Sequence, residues 1–245
     1  MKSRLLGVTA ALALLVPGYR AHVTRPIDGW PPLMLWAWER PVDLRRLPPG
    51  TGVAFLAQTI TASADAIVVS PRRQPLRVDP GTRLIAVTRI EAPGDAPSAP
   101  DRVDEMARAI AATAALPQVG GVQIDFDARA SQRAMYRQLL HAVRRVLPLE
   151  TPLSMTALAS WCLDDRWLDD LPVDEAVPML FRMGSSEAPL RASLAWRALA
   201  PPCRAAVGMS LDEPLTVSTR KKRLYVFNPS PWTDASVRTA RRMLP

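Results

Sequence analysis

From Leu33 onward the chain alternates between short apolar runs and segments whose apolar residues recur every three to four positions, a pattern that predicts βα units and a parallel sheet. The runs are Leu33–Trp38, Gly52–Ala57, Leu84–Ile90, Gly121–Phe126, Leu153–Thr156, Ala176–Phe181, Ala206–Ser210 and Leu224–Phe227. They are rich in Val, Ile, Leu and Phe and nearly continuous, as strands buried on both faces require. Eight such runs predict an α/β fold, a single closed (β/α)₈ barrel of the TIM type. A further stretch, Ala66–Val69 and Pro75–Val78 about the turn residues Ser70 to Arg73, predicts a small β-hairpin inserted between the second and third barrel strands. Two helices are well specified. Ser98, Pro100 and Asp101 are placed to cap and open one that carries the stripe Val103, Met106, Ile110 and Ala114. Met135, Leu139, Leu140, Val143, Val146 and Leu147 form the stripe of the other, which Pro148 ends.

Ahead of the barrel, Met1 to Arg4 is a short positive segment and Leu5 to Val16 an apolar run of twelve residues that stops at Pro17-Gly18. A bilayer-spanning helix needs about 20 apolar residues, so this layout predicts a secretory signal peptide or N-terminal anchor over residues 1–21, with cleavage after Gly18 or Ala21. The barrel domain is then 22–245, and no repeat or linker divides it. The expected location is exported, periplasmic or cell envelope, with membrane contact only through the N-terminal segment if it stays uncleaved.

Composition narrows the chemistry. The 245 residues include two histidines (His22, His141) and two cysteines (Cys162, Cys203), which disfavours His/Cys zinc sites, Ser-His-Asp triads and Cys-His nucleophile pairs. In an exported protein the cysteines either pair as a disulfide or remain two buried thiols. No glycine-rich phosphate loop or dinucleotide fingerprint occurs, so no cofactor and no metal are implied. The formal net charge is +8, and loss of residues 1–21 removes Lys2, Arg4 and Arg20 and no acid, leaving +5. Arg220-Lys221-Lys222-Arg223 is the one dense basic cluster that would suit nucleic acid, but the other arginines, such as Arg45-Arg46, Arg72-Arg73 and Arg144-Arg145, fall in pairs without interleaved aromatics, which argues for solvated faces and against a nucleic-acid partner.

The working residues of such barrels lie at the C-terminal ends of the strands. There the chain offers Glu39, Gln58, Arg89, Glu91, Asp125, Asp127, Ser160, Trp161, Arg182, Asp212, Glu213, Asn228 and Trp232, with Trp36 and Trp38 on one face of the first strand. Carboxylates, amides and tryptophans together suit a carbohydrate cleft. The sharpest element is Gln123-Ile124-Asp125-Phe126-Asp127. Strand alternation puts Gln123, Asp125 and Asp127 on one side, the barrel interior, and two carboxylates so placed raise the pKa of at least one, as a general acid requires. The competing reading makes Asp127 a helix cap and Asp125 a partner of Arg182 or of backbone amides.

Gly121 to Asp127 resembles the fourth-strand signature of chitinase-type (family 18) glycoside hydrolases, Asp-Gly-x-Asp-x-Asp-x-Glu, and Val177 to Arg182 resembles their sixth-strand Met-x-Tyr-Asp segment. Asp127 stands where that family has its acid glutamate, Gln123 replaces an aspartate, Phe181 lacks the tyrosine hydroxyl and Arg182 replaces an acid. More of the chain, including Trp36 to Arg40, Thr156 to Cys162, Asp174 to Gly184 and Tyr225 to Pro229, resembles an uncharacterised family of exported bacterial barrel proteins, which implies the fold and no activity.

These readings converge on an exported barrel that binds a carbohydrate or cell-envelope glycan. In its catalytic form it is a glycoside hydrolase, with Asp127 as general acid, Asp125 tuning it and Glu213, or alternatively Glu39, as the second acid. Glu39, Trp38, Gln58, Trp161, Arg182, Asn228 and Trp232 are the expected substrate contacts. The alternative is a noncatalytic binding or scaffold module on a hydrolase-like barrel. Export is directly testable: a reporter active only outside the cytoplasm, fused after residue 40, is expected to be active, and a silent reporter with cytosolic protein would remove the export reading.

Overall fold

A computed structural model describes residues 26–94, 99–163, 165, 167–184, 187–194, 197–213 and 219–245. The predicted signal segment, residues 1–21, lies outside them. In chain order the strands are β1 (Leu33–Ala37), β2 (Val42–Leu44), β3 (Thr51–Ala62), β4 (Ile67–Pro71), β5 (Leu76–Val78) and β6 (Leu84–Glu91). They continue as β7 (Val119–Asp125), β8 (Leu153–Leu158), β9 (Glu175–Met179), β10 (Ala206–Ser210) and β11 (Arg223–Phe227). The helices are α1 (Pro100–Ala112), α2 (Arg133–Val146), α3 (Ala159–Leu163), α4 (Glu187–Leu194) and α5 (Asp234–Arg242).

Strands β1, β3, β6, β7, β8, β9, β10 and β11 pair in that order, all parallel, and β1 pairs with both β3 and β11, so the sheet closes on itself. This is the (β/α)₈ barrel that the eight apolar runs predict. Outward residues of β7 and β8 such as Val122, Ile124 and Met155 meet Met106, Ile110, Leu139 and Val143 of α1 and α2 in one buried cluster. Inward residues Met34, Trp36, Ala54, Ile85, Val87, Val177, Ala206 and Tyr225 form another. The interior is therefore packed, with little room to spare. At Gly208 a Cβ would stand 2.8 Å from the Trp36 ring, so the absence of a side chain on β10 is what lets that indole lie across the barrel.

The insertion between the second and third barrel strands differs in pairing from the simple expectation. Its two runs do not pair with each other. Residues of β4 pair antiparallel with the far end of β3, Gln58 opposite Pro71 through Ala62 opposite Ile67, while β5 pairs parallel with β2. The reason is that β3 runs twelve residues, well beyond its apolar start, and offers β4 a ready edge. Ala99 holds the N-cap position of α1 without a side-chain bond, and Ser98 lies outside the described residues. Val146 of α2 is exposed, whereas Leu147 is buried.

The N-terminal end of the barrel is sealed by polar chemistry. Glu175, fully buried at the start of β9, accepts from Arg223 Nη1 at 2.5 Å and from the Tyr225 hydroxyl at 2.5 Å. Arg223 also donates to the Ile27 carbonyl, tying the turn at Pro26–Gly29 across the base, and Trp30 lies under Gly121. Burial pushes the Glu175 carboxyl upward while the Arg223 guanidinium opposes it. Removing one member of a buried pair strands the other charge and costs about 3–5 kcal/mol. Glu175→Leu should lose stability of that order in urea denaturation, and Glu175→Leu with Arg223→Leu should recover most of it. An unchanged midpoint in the single variant would show that this pair does not hold the base.

Candidate functional site

The candidate site grows from two adjacent strand ends. In β6 and β7 Arg89 stands in register with Asp125, and parallel pairing points both side chains into the barrel mouth. Arg89 Nη1 meets Asp125 Oδ2 at 2.7 Å, and the Thr156 hydroxyl of β8 donates to Asp125 Oδ1 at 2.8 Å. Asp125 is only 3% exposed, and both its oxygens are engaged. Burial works against the Arg89 charge, but Asp125, Asp127 and Glu91 outweigh it, so Arg89 holds its proton more tightly than usual.

Asp127, two residues past Asp125, has a different fate. Its side chain is 51% exposed, and its nearest cation is Arg89 Nη2 at 4.0 Å. It caps no helix: the following 3-10 turn starts from Arg129 and α2 from Gln132. Partial burial, reinforced by the charge of Asp125 and opposed by that of Arg89, raises the Asp127 pKa above the usual carboxylate value.

Both acids face a cavity of about 550 Å³ at the C-terminal end of the barrel. Its apolar lining combines four aromatic side chains, Trp36, Trp38, Phe181 and Phe227, with aliphatic and methionine side chains such as Leu158, Met179 and Leu190. Phe181 and Phe227 stack within 4° of parallel at 5.7 Å, and Trp38 meets Phe227 edge-on at 6.3 Å. Trp36 is nearly buried, with its indole N–H donating to Gln123 Oε1 at 2.9 Å. Arg182 lies at the mouth, its guanidinium 5.5 Å from the Phe227 ring centre.

Of the residues singled out from sequence, the fold brings Asp125, Asp127, Trp36, Trp38, Arg89, Ser160 and Arg182 together at the cavity and takes the other expected site residues, Glu213, Glu39, Gln58, Trp161, Asn228 and Trp232, elsewhere. Glu213 accepts the Arg182 backbone N–H at 2.7 Å and lies 3.8 Å from Arg182 Nε, which makes it a brace for that loop and leaves Arg182 paired with Asp212 and Glu213, not with Asp125. Glu39 accepts the backbone N–H groups of Arg73 and Gln74, each at 3.1 Å, pinning the insertion to the end of β1. Gln58 faces outward, donating to Thr88 Oγ1 and the Ala109 carbonyl. The cause is a β-bulge between Leu56 and Gln58, which reverses the alternation that would have turned Gln58 inward.

Trp161, 2% exposed, packs edge-on against Trp167 in the outer core. Trp232 is buried, and its indole N–H donates to the Trp36 carbonyl at 2.9 Å. Asn228 accepts from Ser230 N–H and donates to the Pro231 carbonyl, closing a turn with its own side chain. The cavity residues that the sequence reading underweighted are Arg89, Thr156, Phe181 and Phe227. Their common signal is the last inward position of a strand or the residues just beyond it, read together with the register to the neighbouring strand. His141 is exposed on α2, away from the cavity.

No family model, curated protein or solved structure matches this chain.

The raised pKa of Asp127 has a signed consequence for stability. A carboxyl whose folded pKa exceeds its unfolded value stabilises the fold fully below the unfolded value of about 3.9, and that contribution is lost as pH rises through the folded value. Asp127→Asn should therefore gain stability relative to wild type across that window and hold a constant advantage above it. Paired urea titrations from pH 3 to pH 8, roughly spanning both values, provide the measurement. An advantage that shrinks with rising pH would mean that Asp127 is held as a stabilised anion.

Proposed function

We propose that this protein binds a glycan in the barrel mouth and cleaves a glycosidic bond, with Asp127 as the proton donor. The observation that carries the reading is the contrast between the two acids at one cavity that also presents aromatic side chains. Asp125 is locked by Arg89 and Thr156, while Asp127 is half-exposed, turned to the cavity and biased toward its protonated form. Such a split between neighbouring carboxylates supplies a general acid beside a fixed electrostatic partner. The Asp127 proton would pass to the glycosidic oxygen as its bond to the sugar breaks, and water would then add to the anomeric carbon and return a proton to the Asp127 carboxylate, with Asp125, held by Arg89 and Thr156, as the fixed charge beside it. Trp38, Phe181 and Phe227 would supply apolar faces for sugar rings. The likeness of Gly121 to Asp127 to the chitinase-type fourth strand supports the same location for the chemistry, by analogy only.

Export to the periplasm or cell envelope belongs to this proposal. It is supported by the Leu5 to Val16 run and by the disulfide between Cys162 and Cys203, whose Cα atoms lie 5.9 Å apart, since such bonds persist in oxidising compartments.

A noncatalytic glycan-binding module is the second reading, and one observation favours it. With Glu213 and Glu39 engaged outside the cavity, Asp125 and Asp127 are the only carboxylates among its described lining residues, and Asp125 has no free oxygen. A screen of the protein on glycan arrays and in polysaccharide hydrolysis separates the two. The catalytic reading expects a released sugar, a fall of about 10²- to 10⁴-fold in rate for Asp127→Asn, and weaker binding for Trp38→Ala. Binding without release, unchanged in Asp127→Asn, would establish the binding module. No binding to any glycan would overturn both.

A further inference from the structure

The end of the barrel opposite the cavity carries a continuous basic surface. The residues entering β10 and β11 meet there, because Lys222 Nζ donates to the Arg204 carbonyl at 2.8 Å. The Thr219 hydroxyl reaches the Met243 carbonyl at 3.3 Å, which adds the C-terminal end of α5 with Arg241 and Arg242. Arg241 Nη1 donates to the Pro49 carbonyl beside the start of β3. Arg204, Arg220, Lys221 and Arg242 are exposed, and Lys222 and Arg241 are partly so. Among the described residues none of these six cations forms an ion pair with an acid, whereas the neighbouring Arg45 is paired with Asp43 and the buried Arg223 with Glu175. The Lys222 ammonium is pushed below its ordinary pKa by burial and by the charge of Arg204, as expected where cations gather without an acid.

The chain enters the barrel at this same end. Arg223 holds the Ile27 carbonyl against the base, and in sequence the apolar run Leu5 to Val16 stands nine residues ahead of Pro26. We propose that the basic base of the barrel docks on an anionic phospholipid surface, holding the cavity away from the membrane. Six cations without acidic partners suit a plane of phosphate headgroups, each Lys or Arg near such a surface adding to the attraction. Single-stranded nucleic acid fits less well. Its binding calls for aromatic platforms, and the large hydrophobic side chains exposed among the described residues are all Val or Leu. The proposal stands apart from the glycan reading and survives its failure.

The test is flotation of the full-length protein with vesicles of phosphatidylcholine alone and with added phosphatidylglycerol, at low and high salt. The apolar N-terminal run would bind both vesicle types, so the informative quantity is the increment from the anionic lipid. That increment should be large at low salt, fall steeply at high salt, and drop about tenfold or more in the triple variant Arg204→Glu, Arg220→Glu, Arg242→Glu. An equal charge change on the exposed flank and rim, Arg73→Glu, Arg108→Glu, Arg238→Glu, should preserve most of it. Circular dichroism confirms that both variants are folded, and a misfolded base triple is replaced by the single Arg220→Glu, which should lower the increment on its own. No increment from phosphatidylglycerol, equal losses in the two triples, or a preference for a single-stranded oligonucleotide that competes the protein off vesicles would each overturn the proposal.

Discussion

The indole of Trp36 lies across the middle of the barrel and separates two kinds of polar chemistry that do not tolerate each other's surroundings. Below it the Glu175–Arg223–Tyr225 cluster is buried, joined upward through Ser154 and Gln123 to the indole N–H. Above it Asp125 and Asp127 face an open cavity. The residue is held in three ways: Gln123 accepts from its indole N–H, Trp232 donates to its backbone carbonyl, and the bare backbone of Gly208 lies beneath the edge of its ring. A buried ion pair is costly unless hydrogen bonds offset the desolvation of both charges; here Glu175 accepts from Arg223 and Tyr225, while Arg223 Nε is left without a partner among the described residues. The same indole lines the cavity and is connected through Gln123 and Ser154 to the base.

The electrostatics of the mouth follow from unequal treatment of two acids that are only two residues apart. Asp125 sits on the strand and inherits fixed neighbours from the sheet register, while Asp127 has left the strand and meets Arg89 only at 4.0 Å. One guanidinium within reach of two carboxylates satisfies the nearer and leaves the farther short of compensation. That asymmetry is a property of where the strand ends.

Many of the chain's 28 arginines have a structural role. Arg72 donates to the carbonyls of Trp38, Arg40 and Gln74, Arg129 to those of Ala92, Pro93 and Gly94, and Arg144 to those of Thr151, Leu147 and Pro148. Short connections around a barrel leave many carbonyls without a backbone partner, and a five-donor side chain can satisfy several at once. The basic run Arg220 to Arg223 is divided the same way. Arg223 goes to the interior, Lys222 to a carbonyl, and Arg220 and Lys221 remain exposed.

What the sequence determined by itself was everything set by local periodicity: the eight strands and their order, the faces of α1 and α2, the inward placement of Gln123 and Asp125, and the shared face of Trp36 and Trp38. These follow from side-chain alternation along a strand and the 3.6-residue turn of a helix, which need no knowledge of neighbours. What the tertiary structure alone decided was every property that depends on which residues meet. The bulge after Leu56 turned Gln58 outward, the β6–β7 register gave Asp125 its arginine, and the loop carrying Arg182 drew Glu213 from the cavity. Closure of the sheet brought Phe181 and Phe227 into one stack from positions 46 residues apart. Contacts of that kind are fixed by packing and register between distant segments, and a pattern read along one segment carries no information about its partner.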